Sequence, residues 1–125
     1  MVTKKAVKDI IKKYGEAWVK RDSEKITRIF TKNAIYHERA FKKPFIGHKQ
    51  IKGYWQSKVV GEQSNIKFKL LNLYIDKNNA IAEWEASFFQ KGEKKRTHMI
   101  EVAILKIKNS KIASLREYWH SERID

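Results

Sequence analysis

The pattern of apolar residues changes once along this chain, and that change constrains the fold more than any other feature. Up to the polar loop 61–65 the apolar residues mostly recur at helical spacing, and beyond it they alternate with polar ones. Four predicted strands follow, at 66–75, 80–90, 95–107 and 111–120. The turns between them have only three or four residues. Because a parallel crossover needs a longer connection, neighbouring strands are expected to pair as antiparallel hairpins.

Three helices are predicted before these strands. The first begins after a Thr3 cap and ends near Lys20, with lysines on one side and apolar residues on the other. The second begins at Asp22 or Ser23, a short strand follows at 34–37, and the third helix comes after the loop 38–47. The apolar residues that define the second and third helices are Ile26, Ile29 and Phe30, then Ile51, Tyr54, Trp55 and Val59.

A chain that forms its helices first and its hairpins afterwards is typical of an α+β fold. The prediction is a cone-shaped, curved antiparallel sheet with three N-terminal helices packed on its concave face. No repeat, linker or low-complexity segment divides the chain, so residues 1–125 are expected to form one domain. An apolar content of 42% with four Trp and five Tyr supplies a sizeable core.

The composition excludes several classes of site. Without cysteine there is no disulfide framework, thiolate metal site or thiol nucleophile. The four histidines lack ligand spacing, and no glycine-rich phosphate loop is present, so neither a metal nor a cofactor is expected. No signal peptide or membrane-spanning run is evident, and a cytoplasmic protein is therefore expected.

The net charge of +14, from 28 basic and 14 acidic residues, is the unusual number in the composition. The lysines recur on the solvent side of every predicted element and form no single block, while the aromatic residues lie on buried phases. Nucleic-acid binders instead concentrate charge on one face with exposed aromatic residues. Neither nucleic acid nor a membrane surface is therefore the expected partner, whereas attraction of a weakly anionic small ligand remains open.

The alternation along the strands places a carboxylate on the concave side. Pairing through the turn near Gly92 sets Trp84 opposite Glu101, so Glu101 faces inward beside Met99. The last strand has two possible registers, because a slip of one residue exchanges its faces. One register turns Leu115, Glu117 and Trp119 inward, and the other turns Arg116, Tyr118 and His120 inward.

Several segments together resemble the nuclear transport factor 2-like superfamily, and within it the SnoaL-like and ketosteroid isomerase-like proteins. The resemblance covers nearly the whole chain. It is carried by the stretch from Tyr14 to Asp22, Phe30, Ala34, the loop 38–47, the run Ile51-Lys52-Gly53-Tyr54-Trp55, and the final Lys111-Ile112 and Arg116-Glu117-Tyr118-Trp119. It implies the cone-shaped fold, but it does not fix an activity, because the superfamily includes enzymes, binding modules and dimerisation domains.

The resemblance also implies roles for individual residues. The oxyanion-hole tyrosine of the steroid isomerases falls on Tyr14, their catalytic base on Glu38, and their protonated aspartate on Glu101. In epoxide-hydrolysing and polyketide-cyclising relatives a pocket carboxylate occupies the position of Glu117, which favours the first register of the last strand. Glutamate stands where the isomerases carry aspartate, and the extra methylene displaces the carboxylate, which argues against steroid isomerisation itself.

The leading interpretation is a small-molecule pocket for an apolar or cyclic ligand. A carboxylate enclosed by Trp and Met has a raised pKa and can exchange protons near neutral pH. Glu38 and Glu101 are the predicted acid and base, Glu117 a further polar group and Tyr14 an oxyanion donor. The chemistry would be isomerisation, dehydration, cyclisation or hydrolysis without a cofactor. The residues predicted to line the pocket are Trp18, Trp55, Trp84, Met99, Leu115 and Trp119.

Two alternatives stay open at this stage. The carboxylates could form a structural network with Arg96, His98 or Arg116, and the protein could be a non-catalytic binding or dimerisation module. Ile100, Val102 and Ile104 share the outer face of their strand and would otherwise be an exposed apolar patch. A homodimer through that face is therefore expected.

Overall fold

A computed structural model describes residues 2–124. The elements follow in the order α1 (Lys4–Val19), α2 (Ser23–Arg28), β1 (Phe30–His37), β2 (Phe45–Ile46), α3 (Gly47–Trp55), β3 (Gln63–Asp76), β4 (Asn79–Gln90), β5 (Arg96–Lys108) and β6 (Lys111–Ile124). A π-helical turn, Gln56–Val60, extends α3. The three helices and the four long strands occur where the sequence predicts them, and β6 continues four residues beyond its predicted end.

The first helix forms because its caps and its apolar stripe agree. The Thr3 side chain accepts a hydrogen bond from the backbone N–H of Ala6, and the buried side of α1 carries Val7, Ile11 and Tyr14. Asp22 caps α2 in the same way. Ile29 and Phe30, expected in this second helix, are instead its C-cap and the first residue of β1.

The six strands form one sheet in the order β2-β1-β6-β5-β4-β3. The hairpins β3–β4, β4–β5 and β5–β6 are antiparallel as predicted. The predicted sheet is antiparallel throughout, but β1 pairs parallel with β6, so the sheet is mixed. The long chain between β1 and β6, which includes β2, α3 and β3 to β5, makes this pairing possible, because parallel strands need a long connection. The α+β class with a curved, unclosed sheet is confirmed.

The strand register decides which side chains face the helices. Trp84 pairs with Glu101 across the β4–β5 hairpin, as predicted. In β6, Leu115 and Glu117 are buried whereas Arg116 and Tyr118 are exposed, so the register with Glu117 inside is the one the chain adopts. The β5–β6 turn places Asn109 and Ser110 at positive φ, a geometry that matches the twist of the paired strands.

Helix α1 packs on β3, and α3 packs on β1. Rings from both layers meet in the space between the helices and the sheet, with Tyr14 at the centre. Its ring centroid lies 5.1 Å from that of Trp84 and 5.6 Å from that of Trp55. The interior is therefore an aromatic core that surrounds the concave side of β5 and β6.

None of the helices in the described part of the chain is long and apolar enough to span a lipid bilayer.

Candidate functional site

Two buried carboxyl groups lie side by side on the concave face of the sheet. Glu101 of β5 and Glu117 of β6 are 2% and 6% exposed. In the register of these strands Glu101 pairs with Trp119 and Ala103 with Glu117, which makes the two glutamates diagonal neighbours on one face. Burying two carboxyl groups with no cation beside them costs folding free energy unless at least one of them is protonated.

Two tyrosines hold Glu117. The hydroxyl of Tyr36 donates to Oε1 of Glu117 at 2.6 Å, and the hydroxyl of Tyr14 donates to the same oxygen at 3.2 Å. The two hydroxyl oxygens are 3.4 Å apart. Tyr14 comes from α1, whereas Tyr36 comes from β1, which reaches the site because it pairs with β6. Three distant segments of the chain therefore converge on one carboxylate oxygen.

These surroundings raise the pKa of Glu117 to about 7. Burial is the largest cause, and the hydrogen bond from Tyr36 opposes it by stabilising the charged form. The nearby Glu38 raises the pKa further, whereas the hydrogen bond from Tyr14 lowers it. Glu117 therefore changes its charge close to neutral pH.

The pKa of Glu101 is raised well above its ordinary value, first by burial and then by the charge of Glu117. Its Oε2 atom has no hydrogen-bond partner among residues 2–124. Burial, followed by the charge of Glu117, also raises the pKa values of Tyr14 and Tyr36, so both remain neutral donors. The group thus consists of a Glu101 with a raised pKa, a Glu117 near its midpoint at neutral pH and two neutral phenols.

Glu38 lies at the edge of the same site, with its side chain 12% exposed. The hydroxyl of Tyr54 donates to its Oε1 at 2.9 Å, and Nε of Arg39 lies 3.0 Å from its Oε2. The Arg39 guanidinium in turn lies over the ring of Trp119, 5.6 Å from its centroid. Glu38 is therefore the carboxylate of an ion pair, in contrast to the two deeper glutamates.

A cavity of about 440 Å³ opens onto these groups. Tyr14, Glu38, Glu101 and Glu117 all line it. Of the six residues predicted as apolar lining, Trp18, Trp55, Met99 and Trp119 are at its wall. The expectation for the other two needs correction, because Trp84 and Leu115 are fully buried core residues outside the lining. The rings of Tyr14 and Phe68 pack against Trp84.

The cations considered as structural partners of the carboxylates lie elsewhere. Arg96 donates to the backbone oxygen of Asn65 and to Ser87, and His98 lies on the outer face beside Glu85. Arg116 is exposed. Within residues 2–124 neither Glu101 nor Glu117 forms an ion pair, and no cluster of His, Asp and Glu suited to a metal ion occurs there.

Sequence reasoning missed Tyr36 and Tyr54 as site residues. Tyr36 shares the buried phase of β1 with Ala34, and Tyr54 lies on the apolar face of α3, so both patterns predict only a buried ring. The signal available was the polar atom on each ring, because a buried tyrosine hydroxyl usually requires a partner. The partner itself depends on strand order, which the local pattern does not contain.

Comparisons with known proteins agree with this architecture. A family model described as a SnoaL-like domain matches residues 11–115. A putative isomerase from Bacillus subtilis is similar at a TM-score of 0.84 and 15% identity, over 96% of this chain and 90% of that one. No curated protein sequence matches the chain.

Two further solved structures share the fold. An epoxide hydrolase from M. tuberculosis gives a TM-score of 0.77 at 13% identity, over 94% of this chain and 84% of its own. An epoxide hydrolase/cyclase-like enzyme that acts in pyran ring formation in the polyether salinomycin gives a TM-score of 0.78 at 19% identity. The match covers 90% of this chain and 89% of that enzyme. At these identities the likeness concerns the fold alone.

Proposed function

Because this chain belongs to the SnoaL-like domain family, we propose that its cavity binds a small, largely apolar molecule and catalyses proton transfer on it without a cofactor. The observation that carries the proposal is the pair Glu101 and Glu117, two buried acids that share one cavity and form no ion pair within residues 2–124. Perturbed carboxyl groups of this kind are common at functional sites.

The two acids divide the chemistry between them. Glu117 has a pKa of about 7 and loses its proton near neutral pH, whereas Glu101 keeps its own because burial and the Glu117 charge both disfavour a second anion. Glu101 is therefore the general acid and Glu117 the general base. Activity should rise with pH as Glu117 ionises and fall again when Glu101 ionises.

The same pair can serve several reactions. Glu101 would protonate a carbonyl, epoxide or hydroxyl oxygen while Glu117 removes a proton from carbon or from water. Isomerisation, dehydration, cyclisation and hydrolysis all need this combination. The walls formed by Trp18, Trp55 and Met99 exclude water and strengthen the electrostatic interactions inside. An epoxide hydrolase and an epoxide hydrolase/cyclase-like enzyme have been solved on this fold, which supports hydrolysis or cyclisation among these reactions by analogy of fold alone.

The tyrosines and Glu38 have supporting roles in this proposal. Tyr14 and Tyr36 stabilise the anion of Glu117, and Tyr14, at the longer distance of 3.2 Å, is the hydroxyl that can turn to an oxyanion on the substrate. Glu38 is held by Tyr54 and Arg39. Its ion pair holds it at the edge of the cavity, and in this proposal Glu117 takes the place of Glu38 as the partner of Glu101 in acid–base chemistry.

The experiment uses a nitrobenzisoxazole, a small neutral aromatic probe. A base removes the proton on its ring carbon, the N–O bond breaks, and a coloured nitrophenolate forms, so the absorbance reports proton transfer directly. Turnover by the wild type should rise with pH through about 7. Glu117→Gln should lower kcat at least ~100-fold, which is a typical contribution of a positioned general base.

The matched control is Glu83→Gln, the same substitution on the outer face of β4, which should leave turnover unchanged. Equal rates for the wild type and Glu117→Gln would contradict the assignment of the base. Quenching of tryptophan fluorescence by the probe with no turnover would instead support the alternative function, a non-catalytic ligand-binding module.

The outer face of the sheet supports a second proposal, a homodimer. Ile81 and Tyr118 are 45% and 48% exposed on this face, beside Ile100, Val102 and Ile104. Contiguous apolar residues on an exposed sheet face are typical of an interface between subunits. A second copy of the chain would bury this patch and leave the cavity on the opposite face free.

A further inference from the structure

A second group of polar atoms lines the cavity away from the carboxyl pair. Oγ1 of Thr97 and Oε1 of Gln90 are buried and have no hydrogen-bond partner among residues 2–124. Thr97 is only 9% exposed. Buried polar atoms are nearly always satisfied in folded proteins, so a pair of them on a cavity wall indicates a ligand atom that completes the bonding.

The strand register fixes where this group lies. Thr97 pairs with Phe88, so Gln90, two residues beyond Phe88, is its diagonal neighbour on the same inner face. Thr97 and Glu101 are four residues apart on β5, which separates them by roughly 13 Å along the strand. Met99 lies between them on the same face, and Phe88 lines the cavity beside it. The part of the wall formed by β4 and β5 is thus polar at both ends and apolar in the middle.

Three cations at the rim of the cavity are paired with carboxylates. Lys58 lies 3.5 Å from Glu62, Arg123 2.9 Å from Glu93, and Arg39 3.0 Å from Glu38. An anionic ligand would have to break one of these pairs to find a cation at the rim. A neutral hydrogen-bonding group needs only Thr97 and Gln90.

We propose that Thr97 and Gln90 form a second binding subsite, and that the ligand is a neutral, elongated molecule with an apolar body and a hydroxyl or carbonyl oxygen at each end. One end would reach Glu101, and the other would bind at Thr97 and Gln90. This proposal rests on the proposed function in one respect only, that the ligand occupies this cavity. Binding at Thr97 and Gln90 does not require that turnover follows.

The probes are decanediol with hydroxyls at both ends, which spans roughly the length of the cavity wall, and the mono-alcohol 1-decanol. Binding is followed by the fluorescence of Trp18 and Trp55, which line the cavity. The preference of the wild type for the diol over the mono-alcohol is compared with that of Thr97→Val, a nearly isosteric change that removes the hydroxyl. The ratio of the dissociation constant of 1-decanol to that of the diol should be about fivefold lower in the variant, which corresponds to the loss of one neutral hydrogen bond.

Gln90→Met provides a second variant with the same expected loss, and a thermal melt establishes that each variant is folded. Thr31→Val, the same change as at Thr97 but on β1 and outside the cavity, should keep the wild-type preference. An unchanged preference in both subsite variants would overturn the proposal, and so would a wild type that binds neither alcohol. The nitrobenzisoxazole is too short to reach Thr97, so a failure of proton transfer would leave the diol preference intact.

Discussion

The hydroxyl of Tyr36 donates to Oε1 of Glu117 at 2.6 Å, across two strands that run parallel although 81 residues separate the two side chains in sequence. This hydrogen bond joins the first strand of the sheet to the last. It also places a neutral donor on a carboxylate that burial would otherwise keep protonated. The charge state of the candidate site therefore depends on the one parallel pairing in the described sheet.

Replacement of Tyr36 by phenylalanine should raise the pKa of Glu117 above its value of about 7, because the hydrogen bond stabilises the charged form. Carboxyl carbon chemical shifts measured by NMR across a pH series report this pKa. Tyr14→Phe should raise it by less, since burial and Tyr36 both rank above Tyr14 among the causes. A lower pKa in Tyr36→Phe would contradict the assigned role of the hydroxyl.

The stability of the fold should decrease as the pH rises through neutrality. Glu117 has a higher pKa in the folded chain, about 7, than its ordinary value of 4.5, so the fold holds a proton that the unfolded chain has released. The resulting stabilisation is complete below about pH 4.5 and is lost as the pH rises through about 7, an effect on the order of 3 kcal/mol.

Urea denaturation at several pH values measures this effect, with the Glu101→Gln, Glu117→Gln double variant as the reference. The unfolding free energy of the wild type should fall relative to that of the double variant as the pH increases, because the glutamine side chains cannot ionise. A difference independent of pH would mean that the two carboxyl groups titrate alike in the folded and unfolded chains.

Two glycines in helices should respond in opposite directions to alanine. A Cβ at Gly15 of α1 would collide with the ring of Phe68, which Tyr14 and Trp84 hold in place. Gly15→Ala should therefore destabilise the fold by about 1–3 kcal/mol. Gly53 of α3 has nothing within 4 Å of the same position, and Gly53→Ala should stabilise it by about 1 kcal/mol. Chemical denaturation of the two variants provides the comparison, and stabilisation of both would contradict the close packing of α1 on β3.

Ile100→Lys should weaken the proposed homodimer about a hundredfold, because the interface would have to bury an unpaired charge. Sedimentation equilibrium measures the dissociation constant. Val19→Lys, at an exposed position of α1 on the helical side of the sheet, is the control and should not change it. A wild-type chain that remains monomeric at high concentration would refute the proposed dimer.

Local patterns were sufficient for most of the fold. The lysine-flanked apolar stripe predicts α1, and the short turns force the three hairpins, so the opposition of Trp84 and Glu101 follows from counting residues through one turn. Alternation alone did not determine the register of β6, because either face of the strand carries side chains that could point into the cavity. The resemblance to the SnoaL-like proteins favoured the register with Glu117 inside, and the structure adopts it.

Local patterns predicted the three helices, the antiparallel order of β3 to β6 and the inward position of Glu101, but not β2, which lies within the predicted loop 38–47. The parallel pairing of β1 with β6 became visible in the folded chain alone, and with it the contact of Tyr36 with Glu117 and the lack of a cation beside Glu117 within residues 2–124. The difference lies in the range of the interactions. Periodicity and turn length act between neighbours in the chain, whereas the protonation of Glu117 depends on burial and donors contributed by α1, β1 and β5 together.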